Sequence, residues 1–186
     1  MKANGGWSDG LRKRIARCTE FATNLNNAAS EVRKFGSRES AELASRLSAE
    51  AEVIVTIKSV LENDERAAVT GLVQAYRAQE LGSKESFRRT YAELEKQLRA
   101  ATEKVESAAL AIRAIGSSKP SFEDLERRMT DQIMDRDGPQ KGFKSSMTLT
   151  IGLLLLDPKS LEQLVRTQIL LPLGEYDLDL LLMSVL

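Results

Sequence analysis

Hydrophobic residues recur every three or four positions along the first part of the chain, which is the period of one face of an α-helix. From residue 11 to residue 32 the steps alternate four and three without a miss, a heptad seam typical of helices that pack along one another. Ser8 can cap this helix near Asp9, and Gly36 ends it. The seam consists of Leu11, Ile15, Cys18, Ala22, Leu25, Ala29 and Val32.

The next segment, residues 37–81, has the same period but a less regular seam. Two acidic residues, Glu50 and Asp64, fall on its apolar stripe. A second apolar edge beside the stripe indicates a central helix that touches two neighbours. Residues 62–65 contain no apolar side chain, and Gly71 follows soon after. The segment is therefore predicted to be either one helix or two.

A third helix is predicted between Gly82-Ser83 and residues 116–120, which close it with glycine, serine and proline. Ser121 then caps a shorter helix that ends at Gly138-Pro139. The inward positions of this shorter helix are Phe122, Leu125, Met129 and Ile133. The seam of the third helix is Phe87, Tyr91, Leu94, Leu98, Ala101, Val105, Ala108, Ile112 and Ile115.

From Gln140 onward the chain becomes rich in leucine, and Asp157-Pro158 and residues 171–174 divide it into three short pieces. We expect a helical cap docked on the bundle, or an element that binds a partner. The predicted fold is all-α, an antiparallel bundle of long heptad-patterned helices with this Leu-rich C-terminal cap. The predicted divisions are a three-helix bundle or coiled coil at 1–119, an accessory helix at 120–138 and the Leu-rich segment at 139–186.

Net charge and composition narrow the range of functions and locations expected for this chain. The 27 basic and 27 acidic residues balance, which argues against a nucleic-acid target. Successive segments alternate in sign, which favours self-association, and we expect a homodimer. The lone Cys18 cannot form an internal disulfide, which suits a reducing compartment, so an intracellular, cytoplasmic location is expected. The longest apolar run, 147–156, is about half of what a membrane-spanning helix needs.

No residue pattern predicts catalysis, a cofactor, a metal or a small-molecule substrate. Asp131, Asp135 and Asp137 precede Gly138 as in a calcium loop, but that alignment places Ile133 and a lysine where acidic ligands are required.

Cys18 lies on the first seam and has no histidine to activate it, so it is predicted to be a buried apolar residue. The 27 acidic residues make chance carboxylate pairs inevitable. An enzyme with an unreadable carboxylate site therefore stays as one alternative.

The sequence contains two candidate contact sites. Near the start, Arg12, Lys13, Arg14 and Arg17 could touch anionic lipid or a partner. The alternative is a solvated face that pairs with acidic residues of the second helix.

Near the end of the sequence, one Leu-x-x-Leu-Leu motif is typical of helices that enter a partner's groove. Its residues are Leu178, Leu181 and Leu182. The alternative is that these leucines are buried in the chain's own core.

We therefore expect a non-catalytic helical interaction or scaffold protein, acting by coiled-coil self-association or by binding a partner helix. A peripheral membrane-binding bundle that curves or perturbs membranes is the alternative, and here the three long helices resemble membrane-curving bundles in architecture alone.

Overall fold

The computed structural model describes residues 6–79, 84–154 and 157–170. Over these ranges the regular elements are all helices and none is a strand, so the predicted all-α class is confirmed. The helices are α1 Gly6–Arg33, α2 Arg38–Val60, α3 Arg66–Gln79, α4 Lys84–Ser117, α5 Phe122–Asp137, α6 Pro139–Leu154 and α7 Pro158–Gln168. Because α1 already begins at Gly6, Ser8 lies inside its first turn and does not precede the helix as predicted.

Three helix starts follow the local chemistry of the sequence. Ser37 and Ser40 form a reciprocal capping box at α2, in which each side-chain oxygen accepts the other residue's backbone N–H, at 3.1 and 3.0 Å. The Ser121 hydroxyl accepts the backbone N–H three residues later at 3.1 Å. Asp157 caps α7 in the same way, ahead of Pro158 in the first turn. The predicted breaks at these positions are confirmed.

One turn of π-helix, Leu61–Glu65, joins α2 to α3 without interrupting the rod. The backbone N–H of Arg66 reaches back five residues to the carbonyl of Leu61, so the turn holds one residue more than an α-turn. The extra residue changes which side chain faces inward. Glu65 is buried, whereas Asp64, predicted on the apolar stripe, lies on the outer side and pairs with Lys104.

The larger core lies where α1, α2, the second half of α4, α5, α6 and α7 meet. α1 packs along α2, α2 also contacts α4 and α5, α6 packs on α5, and α7 packs on α4. All of the predicted first seam is buried except Ile15, which is half-buried. The predicted inward residues of α5 are all buried. The largest fully buried side chains here are Leu25, Leu43, Leu47, Ile54, Ile57, Leu61, Ile112, Leu125, Met129 and Leu161.

A second, smaller cluster joins α3 to the first half of α4. Leu98 is its fully buried member on α4, and Tyr91 and Leu94 pack against it. The ring of Phe87 lies 5.6 Å from that of Tyr91 at a tilt of 44°, and it meets Tyr76 edge-on at 6.5 Å between centroids. The predicted seam of the third helix therefore serves two separate clusters along its length.

Gly116 has a different role from the one its sequence position predicts. It does not end α4 but lies buried in the last turn, where α7 begins against it. A Cβ at this position would stand 2.1 Å from Cγ of Pro158, closer than any real carbon contact. The missing side chain is therefore what allows the start of α7 to seat on α4.

We predict that Gly116→Ala destabilises the protein by about 1–3 kcal/mol through overpacking, less the helix-propensity gain of about 0.5–1 kcal/mol. Gly10→Ala is the matched control, because nothing lies within 4 Å of a Cβ on that α1 glycine. It should be neutral or slightly stabilising. Urea unfolding of both variants measures the difference, and equal midpoints would contradict the close contact of α7 with α4.

Candidate functional site

Three of the four basic residues predicted as a contact site lie on the surface of α1. Arg12, Lys13 and Arg17 are exposed. Arg12 pairs with Asp9, and Arg17 lies 2.8 Å from Glu20, so their partners are acids of the same helix and not of the second. Exposed pairs of this kind contribute about 0–1 kcal/mol each. These cations therefore add little to the fold.

Arg14 is not part of that surface. It lies three residues after Leu11 and four before Cys18, on the buried face of α1, and only 6% of it is exposed. Its guanidinium forms a two-point pair with the carboxylate of Glu65, with Nη2 3.2 Å from Oε2. Its Nε–H donates to the carbonyl of Ile169 at the end of α7. Arg14 is thus an internal link between α1, the π-turn and α7.

Burial shifts the pKa values of two groups at this link, and the charge of Arg14 opposes both shifts. Burial raises the pKa of Glu65, and the hydrogen bond and charge of Arg14 oppose that rise. Cys18, fully buried as predicted, has its pKa raised to about 12, chiefly by burial. Its thiol is therefore protonated at neutral pH and is not a nucleophile.

Glu50 is a second buried acid, on the α2 face that the sequence predicted to be inward. It has no exposed surface, and neither of its carboxylate oxygens has a hydrogen-bond partner among the described residues. Burial raises its pKa to about 8, with a further contribution from the charge of Asp157 and an opposing one from Arg46. The guanidinium of Arg46 is itself bonded to Glu42 and to the carbonyl of Ser118. Glu50 is therefore predominantly protonated at neutral pH.

The described part of the Leu-rich region folds onto its own chain. Leu149, Leu161, Val165 and Ile169 lie in the larger core. Arg166 also ties α7 to α4, with its guanidinium 3.4 Å from Glu106. The predicted contact residues Leu178, Leu181 and Leu182 lie outside the described residues, so their role stays a prediction.

An apolar groove of about 500 Å³ lies between the end of α1 and α6. Most of its lining is apolar, and α6 also contributes two hydroxyl groups, of Ser145 and Thr148. Glu31 and Lys34, which pair with each other, stand at the α1 edge, and both are exposed. The described lining residues are Ala28, Glu31, Val32, Lys34, Phe35, Ser145, Thr148 and Leu149.

Two lysines of α6 lie one helical turn before residues that line the groove. Lys141 precedes Ser145 and Lys144 precedes Thr148, so each shares a face of α6 with a lining residue. Both are exposed, and residues 139–154 contain no acidic residue. Sequence reasoning missed this site because its two walls are more than a hundred residues apart in the chain.

The face of α6 that packs on α5 includes two small residues. Gly142 and Ser146 are buried, and a Cβ on Gly142 would lie 2.9 Å from the backbone of Met134 on α5. This close approach seats α6 on α5, while Phe143 and Met147, a turn apart on another face, are 59% and 50% exposed. The helix is thus held on one side and open to contact on the others.

Other kinds of site find no support in the described ranges. No group of three or more His, Cys, Asp or Glu residues there is placed to hold a metal ion. None of the helices described is long and apolar enough to cross a membrane. Comparison with protein-family models, curated proteins and solved structures found no match to this chain.

We predict that Arg14→Met or Glu65→Leu alone costs about 3–5 kcal/mol, because each leaves an uncompensated buried charge. The double variant should cost much less than the sum of the two. Arg17→Met, exposed on the same helix, should change stability by less than about 0.5 kcal/mol. A double-mutant cycle by urea unfolding measures the coupling, and additive losses would contradict a direct buried pair.

We also predict that Glu50 makes the protein less stable as pH rises. Its pKa is about 8 in the folded state against a usual 4.5, so its contribution is fully present below 4.5 and is lost by pH 8, at about 1.4 kcal/mol per pH unit. Glu50→Gln should remove this slope, whereas Glu52→Gln, exposed on the same helix, should keep it. Unfolding free energies from pH 5 to pH 8 measure it, and an unchanged slope in Glu50→Gln would disprove the assignment.

Proposed function

We propose that this chain is a non-catalytic helical interaction module that self-associates by binding an apolar helix in the groove between α1 and α6. The observation that carries the proposal is the groove itself, which has a mostly apolar lining and two exposed lysines, Lys141 and Lys144, one turn before that lining on α6. Its volume of about 500 Å³ falls within the range of ligand sites, roughly 300–1,000 Å³. An amphipathic helix laid into such a groove buries its apolar face and keeps its polar face in water.

The charges near the groove determine which kind of amphipathic helix is attracted to it. Glu31 and Lys34 of its lining pair with each other, so Lys141 and Lys144, one turn before lining residues of α6, supply the excess positive charge. An occupant with acidic residues beside its apolar face would therefore be attracted, whereas a basic amphipathic helix would be repelled. Because the chain carries equal numbers of basic and acidic residues, a basic groove implies complementary acidic surface elsewhere on the same chain. A second copy of the chain would bring such an acidic surface to the groove, and this supports self-association.

The fold supports binding over chemistry. The buried acids Glu50 and Glu65 are enclosed in the core, and the buried thiol of Cys18 is protonated at neutral pH. The groove is instead lined mostly by apolar and hydroxyl groups, and its one carboxylate, on Glu31, is paired with Lys34, which favours a contact surface over a reactive centre. The alternative of a peripheral membrane-binding bundle stays a prediction. Its contact residues are now Arg12, Lys13 and Arg17, because Arg14 is buried.

We predict that Thr148→Glu weakens self-association about tenfold or more, because it places a negative charge where the acidic occupant binds. Thr148→Lys should leave association unchanged or strengthen it. Thr148 is exposed, and its hydroxyl donates only to a carbonyl of its own helix at 3.0 Å, so the fold is not affected.

Thr56→Glu is the matched control, because Thr56 is also exposed and makes the same bond within its helix at 3.0 Å. Sedimentation velocity over a range of concentrations gives the mass of each variant. A wild-type protein that remains monomeric at every concentration would overturn the proposed function, as would equal weakening by Thr56→Glu.

A further inference from the structure

The residues that follow α7 carry the chemistry that the groove selects. Residues 171–186, here called the tail segment, lie outside the described residues. The segment contains three acidic residues and no lysine or arginine. Leu178, Leu181, Leu182 and Val185 fall at the i, i+3, i+4 and i+7 positions of a groove-binding helix.

The acids of the tail segment stand at the beginning of that apolar pattern. In a helix with its leucines in the groove, Glu175 and Asp179 would lie one turn apart on one flank of the apolar face, and Asp177 on the opposite flank. Lys141 and Lys144, at the start of α6, can pair with the acids of one flank. Apolar and ionic contacts can therefore form together.

The geometry of the chain favours a groove on another copy. Arg14 holds the carbonyl of Ile169 near the first half of α1, whereas the groove begins at Ala28, about 21 Å farther along that helix at 1.5 Å per residue. Eight residues lead from Leu170 to Leu178, which at full extension span about 27 Å. Leu178 could therefore reach only the near end of its own groove, with the connecting residues about four-fifths extended, whereas a second copy has no such tether.

We infer that the tail segment of one copy occupies the α1–α6 groove of a second copy, and that the exchange is reciprocal around a two-fold axis. This inference rests on the proposed function and names its partner segment. A reciprocal contact uses the same two surfaces on both copies, as closed dimers require.

The experiment uses full chains altered at either end of the contact. Leu181→Asp in the tail segment should weaken self-association about tenfold to a hundredfold, as expected for a buried leucine anchor. Ser184→Asp is the matched control, because it adds the same charge away from the apolar positions and should leave the dimer intact. Sedimentation velocity measures both.

Mixing then tests whether the contact is between copies. Thr148→Glu protein has a damaged groove and an intact tail segment, and Leu181→Asp protein has the reverse. At a concentration where each variant alone is monomeric, an equimolar mixture should form a dimer through the one intact contact, more weakly than wild type. Monomers in the mixture would overturn the exchange between copies.

The two proposals fail in different ways. If Leu181→Asp associates as tightly as wild type while Thr148→Glu does not, the groove binds another part of the chain, and this inference is wrong while the proposed function stands. If neither variant differs from wild type, both are wrong.

Discussion

The enclosed pair of Arg14 and Glu65 is the interaction on which the arrangement of the whole bundle depends. Two opposite charges in an apolar core are tolerated only when each faces the other and their remaining hydrogen-bonding groups are satisfied. Here the third partner is the carbonyl of Ile169. One guanidinium therefore sets the register of α1 against the π-turn and the position at which α7 ends. Removing any of the three groups leaves polar atoms unsatisfied inside the core.

The open groove follows from how the last two helices are held. α7 is seated on α4 because Gly116 leaves room for Pro158 at one end, and Arg14 holds the other end. α6 is drawn onto α5 through Gly142. With both helices fixed to these neighbours, α6 only borders the end of α1 and does not close against it. The space that remains is the apolar groove, so the proposed binding surface is a product of the fold and not of a local motif.

Local features of this fold are readable from sequence because they depend on neighbouring residues. Ser37 and Ser121 cap helices by bonding to amides three residues away, and the first seam is one helix face. Glu65 could not be placed inward, because the extra residue of the π-turn shifts the register after Leu61. The burial of Arg14 depends in turn on Glu65. Likewise, the groove joins helices that no local pattern connects, so only the assembled structure reveals it.

Backbone hydrogen exchange at low and high protein concentration tests self-association through the groove most directly. Association suppresses local opening where the partner binds, so exchange should slow there as dimers form. We predict slower exchange in α6 around Thr148 and at the end of α1 around Val32, with no change in α4 around the exposed Leu110. Exchange in α6 that is independent of concentration, or slowing confined to α4, would contradict self-association through the groove.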